Sequence, residues 1–110
     1  MVLYKNKEIT VHKLNELVEL NKKVQIIDIR EDSERNHACI KGTIHIKLKE
    51  IAERYHEIDK SKNVFVMCHT GTRSQVVVQW LKSQGHNHAV NVLGGIDAWA
   101  ALIDRSIKRY

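Results

Sequence analysis

An α/β fold with a mostly parallel sheet, covered by helices on both faces, is predicted by two features of the 110-residue sequence. Short runs of branched apolar residues alternate with amphipathic segments at helical spacing, so successive strands need crossover connections. The strand-like runs are short, mostly apolar and rich in branched residues, as strands buried on both faces are. Length allows one domain, residues 1–110, with one modest core. Such sheets bind ligands at the carboxyl ends of their strands, which directs attention to the segments after Ile29 and after Met67.

Thr10 is the expected N-cap of a helix whose apolar face is Val11, Leu14, Leu17 and Val18, closed by Asn21 and the pair Lys22, Lys23. Val24 to Ile29 reads as a buried strand, and Ser33 as the cap of a brief helical turn after it. Ile40 to Ile46 returns to an extended pattern with a bend at Gly42. Leu48, Ile51, Ala52, Tyr55 and Ile58 fall at helical spacing and predict an amphipathic helix from Lys47 to about Ile58. Val64 to Met67 is a second buried strand. A helix follows from Arg73 or Ser74 through Val77 and Leu81, with Gly85 as its C-terminal cap. Ala89 to Leu93 is the last strand, and Gly94-Gly95 turns into a helix containing Ala98, Trp99 and Leu102. Both Trp80 and Trp99 read as packing aromatics on helices.

Composition excludes several classes. With 43% apolar and 28% charged residues the chain is of globular type, not disordered. No apolar run approaches the ~20 residues of a membrane span. The opening MVLYKNKEIT lacks the apolar stretch of a signal peptide, so a cytoplasmic protein is expected. The net charge of +5 is spread among acidic residues, and its densest point is only Arg105, Lys108 and Arg109. No zinc-finger spacing or base-stacking motif accompanies it, so neither nucleic acid nor membrane is expected as a partner. The field would instead favour the approach of a small anionic substrate. His12, His37, His45, His56, His86 and His88 show no metal-ligand spacing, so a zinc site is not expected. Two cysteines, Cys39 and Cys68, make no disulfide framework.

Chemistry concentrates in Val64-Phe65-Val66-Met67-Cys68-His69-Thr70-Gly71-Thr72-Arg73-Ser74. A buried strand ends at Met67, Cys68 stands at its tip, and a helix begins a few residues on. Successive amides in such a turn form an anion-binding nest, and the helix N-terminus adds partial positive charge. These surroundings lower a thiol from its free value of ~8.5 into the range ~3.5–7.5, which makes Cys68 a thiolate nucleophile. The same donors would hold an anion attached to, or arriving at, the sulfur.

The loop Cys68-His69-Thr70-Gly71-Thr72-Arg73-Ser74 resembles the active-site loop of rhodanese-like domains, Cys-x-x-Gly-x-Arg-Ser. Three further segments resemble the family in its order and spacing. They are Ile27-Asp28-Ile29-Arg30-Glu31, Ile40-Lys41-Gly42-Thr43-Ile44-His45-Ile46, and Val92-Leu93-Gly94-Gly95-Ile96-Asp97-Ala98-Trp99. Lys41 and Lys47 stand where the family usually has proline, and Ala38-Cys39-Ile40 where it commonly has Gly-His-Ile. The resemblance implies a rhodanese-like α/β fold with a five-stranded parallel sheet. It also implies a sulfurtransferase: Cys68 takes sulfane sulfur from a small anionic donor such as thiosulfate. The persulfide then passes it to a thiol, to cyanide or to a sulfur-acceptor protein, without a cofactor. Related phosphatases place five residues between Cys and Arg; here four separate Cys68 from Arg73, which favours sulfur over phosphate. A partner-binding module without activity and a redox or arsenate-reducing protein are the alternatives. The intact cysteine argues against the first, and disulfide formation between Cys39 and Cys68 would mark the second.

Around Cys68, the amides of His69, Thr70, Gly71, Thr72, Arg73 and Ser74 are the expected substrate cradle. His69 either polarises the thiol or sits exposed on the rim, the latter being expected because adjacent side chains point apart. Arg73 either grips a substrate anion with its planar donors or braces the loop through a carboxylate such as Asp28 or Glu31. Arg30 has the same two readings, with Glu31 and Glu34 as available partners. Asp28 is expected to order backbone. Cys39 is either a small, partly buried apolar side chain or a resolving thiol close to Cys68.

Overall fold

The computed structural model describes residues 3–21 and 23–110, so Lys22, Met1 and Val2 lie outside the described residues. Five strands, Glu8–Ile9 (β1), Gln25–Asp28 (β2), Ile44–His45 (β3), Val64–Met67 (β4) and Ala89–Val92 (β5), form one sheet in the order β1-β5-β4-β2-β3. Every pairing is parallel. The helices are Val11–Leu20 (α1), Asp32–His37 (α2), Ile51–Arg54 (α3), Thr72–Ser83 (α4) and Gly95–Leu102 (α5).

All residues of β4 and β5 are buried, which is why β4 is written as an unbroken apolar run and β5 as one interrupted only by Asn91. Side chains nevertheless alternate between two layers. Ile27, Val64, Val66 and Cys68 pack with Val77, Val78 and Leu81 of α4 and with Ile51 and Ile58. Ile26, Phe65, Met67, Val90 and Val92 pack on the other side with Val11 and Leu14 of α1 and Ile96 and Trp99 of α5. Trp99 is buried in that second layer, and Trp80 packs on the first, edge-on to Tyr55 at 5.1 Å.

Thr10 caps α1, its hydroxyl accepting from the Lys13 amide at 3.2 Å. At the far end of α4, His86 N–H donates to Leu81 O (3.0 Å) and Gly85 N–H to Lys82 O (3.1 Å), a Schellman closure.

Four elements differ from expectation. Strand β1 was not foreseen, because two residues carry no periodicity; it pairs Glu8 with Asn91 and Ile9 with Val92 on β5. The helix expected over Lys47–Ile58 is three short pieces: three-ten turns at Leu48–Glu50 and Tyr55–Glu57 flank α3. Leu48 to Ile51 and Tyr55 to Ile58 are three apart, a spacing that a three-ten turn satisfies as well as an α-helix does. Ser33 does not cap α2; it lies inside the helix, which Glu31 caps, its amide donating to Glu34 Oε1 at 3.1 Å. Within Ile40–Ile46 only Ile44 and His45 pair as strand.

Candidate active site

Strand β4 runs through the centre of the sheet and delivers Cys68 at its carboxyl end, 1% exposed. The loop after it is pinned from α5: Ile96 N–H donates to Cys68 O (2.9 Å) and Asp97 N–H to His69 O (3.0 Å). Gly71 turns the chain into α4 with φ of +101°, a conformation that side-chain-bearing residues rarely adopt. The turn aims two amides at the sulfur. Gly71 N–H donates to Cys68 Sγ at 3.1 Å and Ser74 N–H at 3.4 Å, while Ser74 Oγ lies 3.3 Å away.

Burial pushes the Cys68 thiol up. The Ser74 hydroxyl and the amides of Ser74, Gly71 and Thr70 together outweigh it and hold the thiol below its ordinary value. Ser74 has a single hydroxyl proton; its Oγ lies 2.5 Å from Asn91 Oδ1, to which it donates, and Asn91 Nδ2 donates to Gly71 O at 3.2 Å. With sulfur protonated, the S–H points to Ser74 Oγ; with sulfur ionised, the hydroxyl proton turns to it. Ser74→Ala is therefore expected to raise the Cys68 thiol and slow its alkylation at neutral pH by about 3–10-fold, the worth of one hydrogen bond. A pH profile of iodoacetamide reaction checks this; an unmoved midpoint would remove Ser74 from the account.

Arg73 donates to both oxygens of Glu34, at 2.7 and 2.8 Å, and not to Asp28 or Glu31. Arg73 drives the Glu34 carboxyl down to about 2 against the effect of burial, helped by Tyr110 Oη–H and the Glu31 amide. The consequence for stability has a definite sign. The folded value lies below the ordinary 4.5, so the pair's contribution is present above pH 4.5 and is lost as pH falls from there to about 2. Glu34→Gln is expected to cost about 1–2 kcal/mol at neutral pH and to flatten stability across that acid window. Urea unfolding at stepped pH measures both.

Arg30 is fully buried and is not paired with the carboxylates of Glu31 or Glu34. Its Nε and Nη2 donate to Asp28 at 3.0 and 2.8 Å; other donors go to Ala38 O, Glu34 O and Tyr110 Oη. Asp28 in turn accepts from the Arg30 amide and from Arg35 Nη1, each at 3.0 Å. These two residues brace the segment after β2 from beneath.

His69 is half-buried, not an exposed rim residue, because the Tyr110 ring lies flat on it. Thr70 and Thr72 are exposed. Cys39 is exposed and free, where a partly buried side chain was expected. Three residues at the site escaped the sequence reading. Glu34 was considered only for Arg30. Tyr110 carried no motif. Asn91 was the most legible of them: an amide in the middle of an apolar buried strand needs a specific partner.

A cleft of about 490 Å³ opens beside the loop, lined by His69, Thr70, Asp97, Arg109 and Tyr110. A larger groove of about 870 Å³, lined in part by Cys39, Trp99 and Ile107, includes none of residues 68–74. Chemistry selects the smaller one, since His69 and Thr70, the two residues that follow Cys68, line it. Among the described residues, no group of three or more His, Cys, Asp or Glu side chains is arranged to hold a metal ion. No helix of the described chain is long and apolar enough to cross a membrane.

Comparison with known proteins gives a consistent picture. A family model described as "Rhodanese-like domain" matches residues 10–102. The thiosulfate sulfurtransferase GlpE of Shewanella oneidensis is 31% identical over 93 residues, spanning 84% of this chain and 91% of that protein. A Bacillus subtilis protein provisionally named a sulfurtransferase, YtwF, is 38% identical over 93 residues, spanning 84% of this chain and 89% of it. Another Bacillus subtilis relative, provisionally named a sulfur carrier protein, YrkF, is 32% identical, and the match spans half its length. Among solved structures, a rhodanese-like domain protein from Staphylococcus aureus superimposes with a TM-score of 0.82 at 31% identity, covering 96% of this chain and 99% of that one.

Proposed function

Because this chain belongs to the rhodanese-like domain family, we propose that it is a sulfurtransferase in which Cys68 carries the sulfur as a persulfide. The single observation that carries this reading is the Cys68 sulfur itself, facing the Gly71 and Ser74 amides and the Ser74 hydroxyl in a loop whose next two residues, His69 and Thr70, line a cleft. The Cys68 thiolate attacks the outer sulfur of a donor such as thiosulfate. The sulfur–sulfur bond of the donor breaks and sulfite departs with the electron pair, leaving Cys68–S–S⁻. The amides from His69 through Ser74 hold this anion. A thiol, cyanide or an acceptor protein then attacks the terminal sulfur and the Cys68 thiolate is restored. The electrons stay between donor and acceptor and no external oxidant or reductant is consumed, so the proposed cycle needs no redox cofactor. The names of the relatives support the sulfurtransferase class; thiosulfate as donor is the proposal's own step. The reading treats residues 1–110 as one domain working in the cytoplasm, where reducing thiols keep Cys39 and Cys68 free.

The test is intact mass after incubating reduced protein with thiosulfate, with mercaptopyruvate and with a protein persulfide. A gain of one sulfur atom that cyanide discharges supports the mechanism. Failure to load from all three donors would overturn it.

A further inference from the structure

Tyr110 is tied to the cysteine loop, to α2 and to the segment after β2. Its ring stacks on His69 with centroids 3.9 Å apart and planes within 7°. Its hydroxyl donates to Glu34 Oε2 and accepts from Arg30 Nη1, each at 2.8 Å. Glu34 is the carboxylate that grips Arg73 at the start of α4. The preceding residue, Arg109, donates to both oxygens of Asp97, at 2.9 and 3.1 Å. The Asp97 amide in turn holds the carbonyl of His69. Residues 109–110 therefore cross from α5 over the cysteine loop to α2, and they form one wall of the 490 Å³ cleft.

Two observations make this crossing one that can open. Tyr110 is 41% exposed, and the Arg109 side chain that tethers it is 60% exposed, so neither is locked by packing. Beneath the ring, His69 Nε2 is buried with no hydrogen-bond partner. A buried polar nitrogen left unpaired is costly, and it gains a partner once the ring moves aside.

We propose that Tyr110 is a specificity-determining residue that selects sulfur acceptors by size. Seated on His69, it narrows the approach to Cys68 so that cyanide or a small anion passes. A bulky thiol must displace the ring, and doing so frees His69 Nε2 to bind the acceptor's anionic group. The selection of acceptors rests on the sulfurtransferase reading given above; the narrowing of the approach does not.

The experiment uses a Cys39→Ser background, so that Cys68 is the only thiol, and compares Tyr110→Ala and Tyr110→Phe with the parent. Alkylation of Cys68 is timed with iodoacetamide and with a bulky fluorescein iodoacetamide. Both reagents report the same thiolate, so a change in the thiol's acidity cancels from their ratio. Tyr110→Ala is expected to raise the bulky-to-small ratio about tenfold, as removal of a steric block does. Tyr110→Phe keeps the stack, loses the Glu34 and Arg30 anchors, and falls between. A ratio within twofold of the parent in folded Tyr110→Ala would overturn the proposal. A second arm loads sulfur from thiosulfate and compares discharge to glutathione with discharge to cyanide; the same ratio is expected to rise. If no sulfur loads on the parent from thiosulfate, the discharge is run after loading from mercaptopyruvate or a protein persulfide; failure with all three overturns the sulfurtransferase reading, while the alkylation ratio still decides whether Tyr110 gates Cys68.

Discussion

Cys68→Ser is expected to abolish sulfur uptake from thiosulfate and turnover to cyanide, a fall of at least about a thousandfold, because a neutral hydroxyl does not ionise here as a thiol does. Stability should change by only about 1 kcal/mol, since a serine oxygen can accept from the same two amides, of Gly71 and Ser74. The contrast separates chemistry from architecture. Intact mass after thiosulfate, beside a urea melt, measures both. Sulfur retained by the variant on a cyanide-labile bond would place the carrier elsewhere, with exposed Cys39 the remaining thiol.

Gly95→Ala is expected to show the largest loss of stability, about 3–4 kcal/mol. A Cβ at this position would collide with the carbonyl oxygen of Cys68 and meet His69 O at 2.6 Å and His69 C at 2.7 Å. All of these are backbone atoms, so no rotamer change relieves them. The residue also holds φ of +56°, in the left-handed region. Relief requires α5 to back away from the cysteine loop, which breaks the Ile96 and Asp97 hydrogen bonds to Cys68 O and His69 O. Sulfur loading should therefore fall together with stability. Gly85→Ala is the control: its φ is +94°, but the added Cβ meets nothing within 4 Å. It should cost about 1 kcal/mol and leave loading intact. Equal costs for the two substitutions would refute the tight docking of α5 on the loop.

The parts of the fold legible in the sequence were those written in contiguous residues. Val64–Met67 and Ala89–Val92 announce themselves because a parallel strand buried on both faces is written almost wholly in apolar residues, Asn91 being the one exception in these two. The loop from Cys68 to Ser74 is likewise compact in sequence, so its chemistry follows from spacing alone. What escaped depends on distant partners. Arg73 had several candidate carboxylates, and only the packing of α2 against the loop makes Glu34 the one within reach. Arg30 looked equally free to pair with its neighbours Glu31 and Glu34. Instead the strand end turns its guanidinium inward onto Asp28, two residues back. Tyr110 lies 80 residues from Arg30 along the chain, and no local pattern joins them. The expected helix over Lys47–Ile58 failed for another reason: three-residue spacing does not distinguish a continuous helix from a series of tight turns.

The sheet's outer strands, β1 and β3, pair over two residues each. Edge-to-edge aggregation needs a run of open backbone donors and acceptors long enough to template another strand. Two residues offer almost none. The rim of this sheet thus discourages self-association by β-addition; under the proposed function, an acceptor protein would dock on side chains and loops.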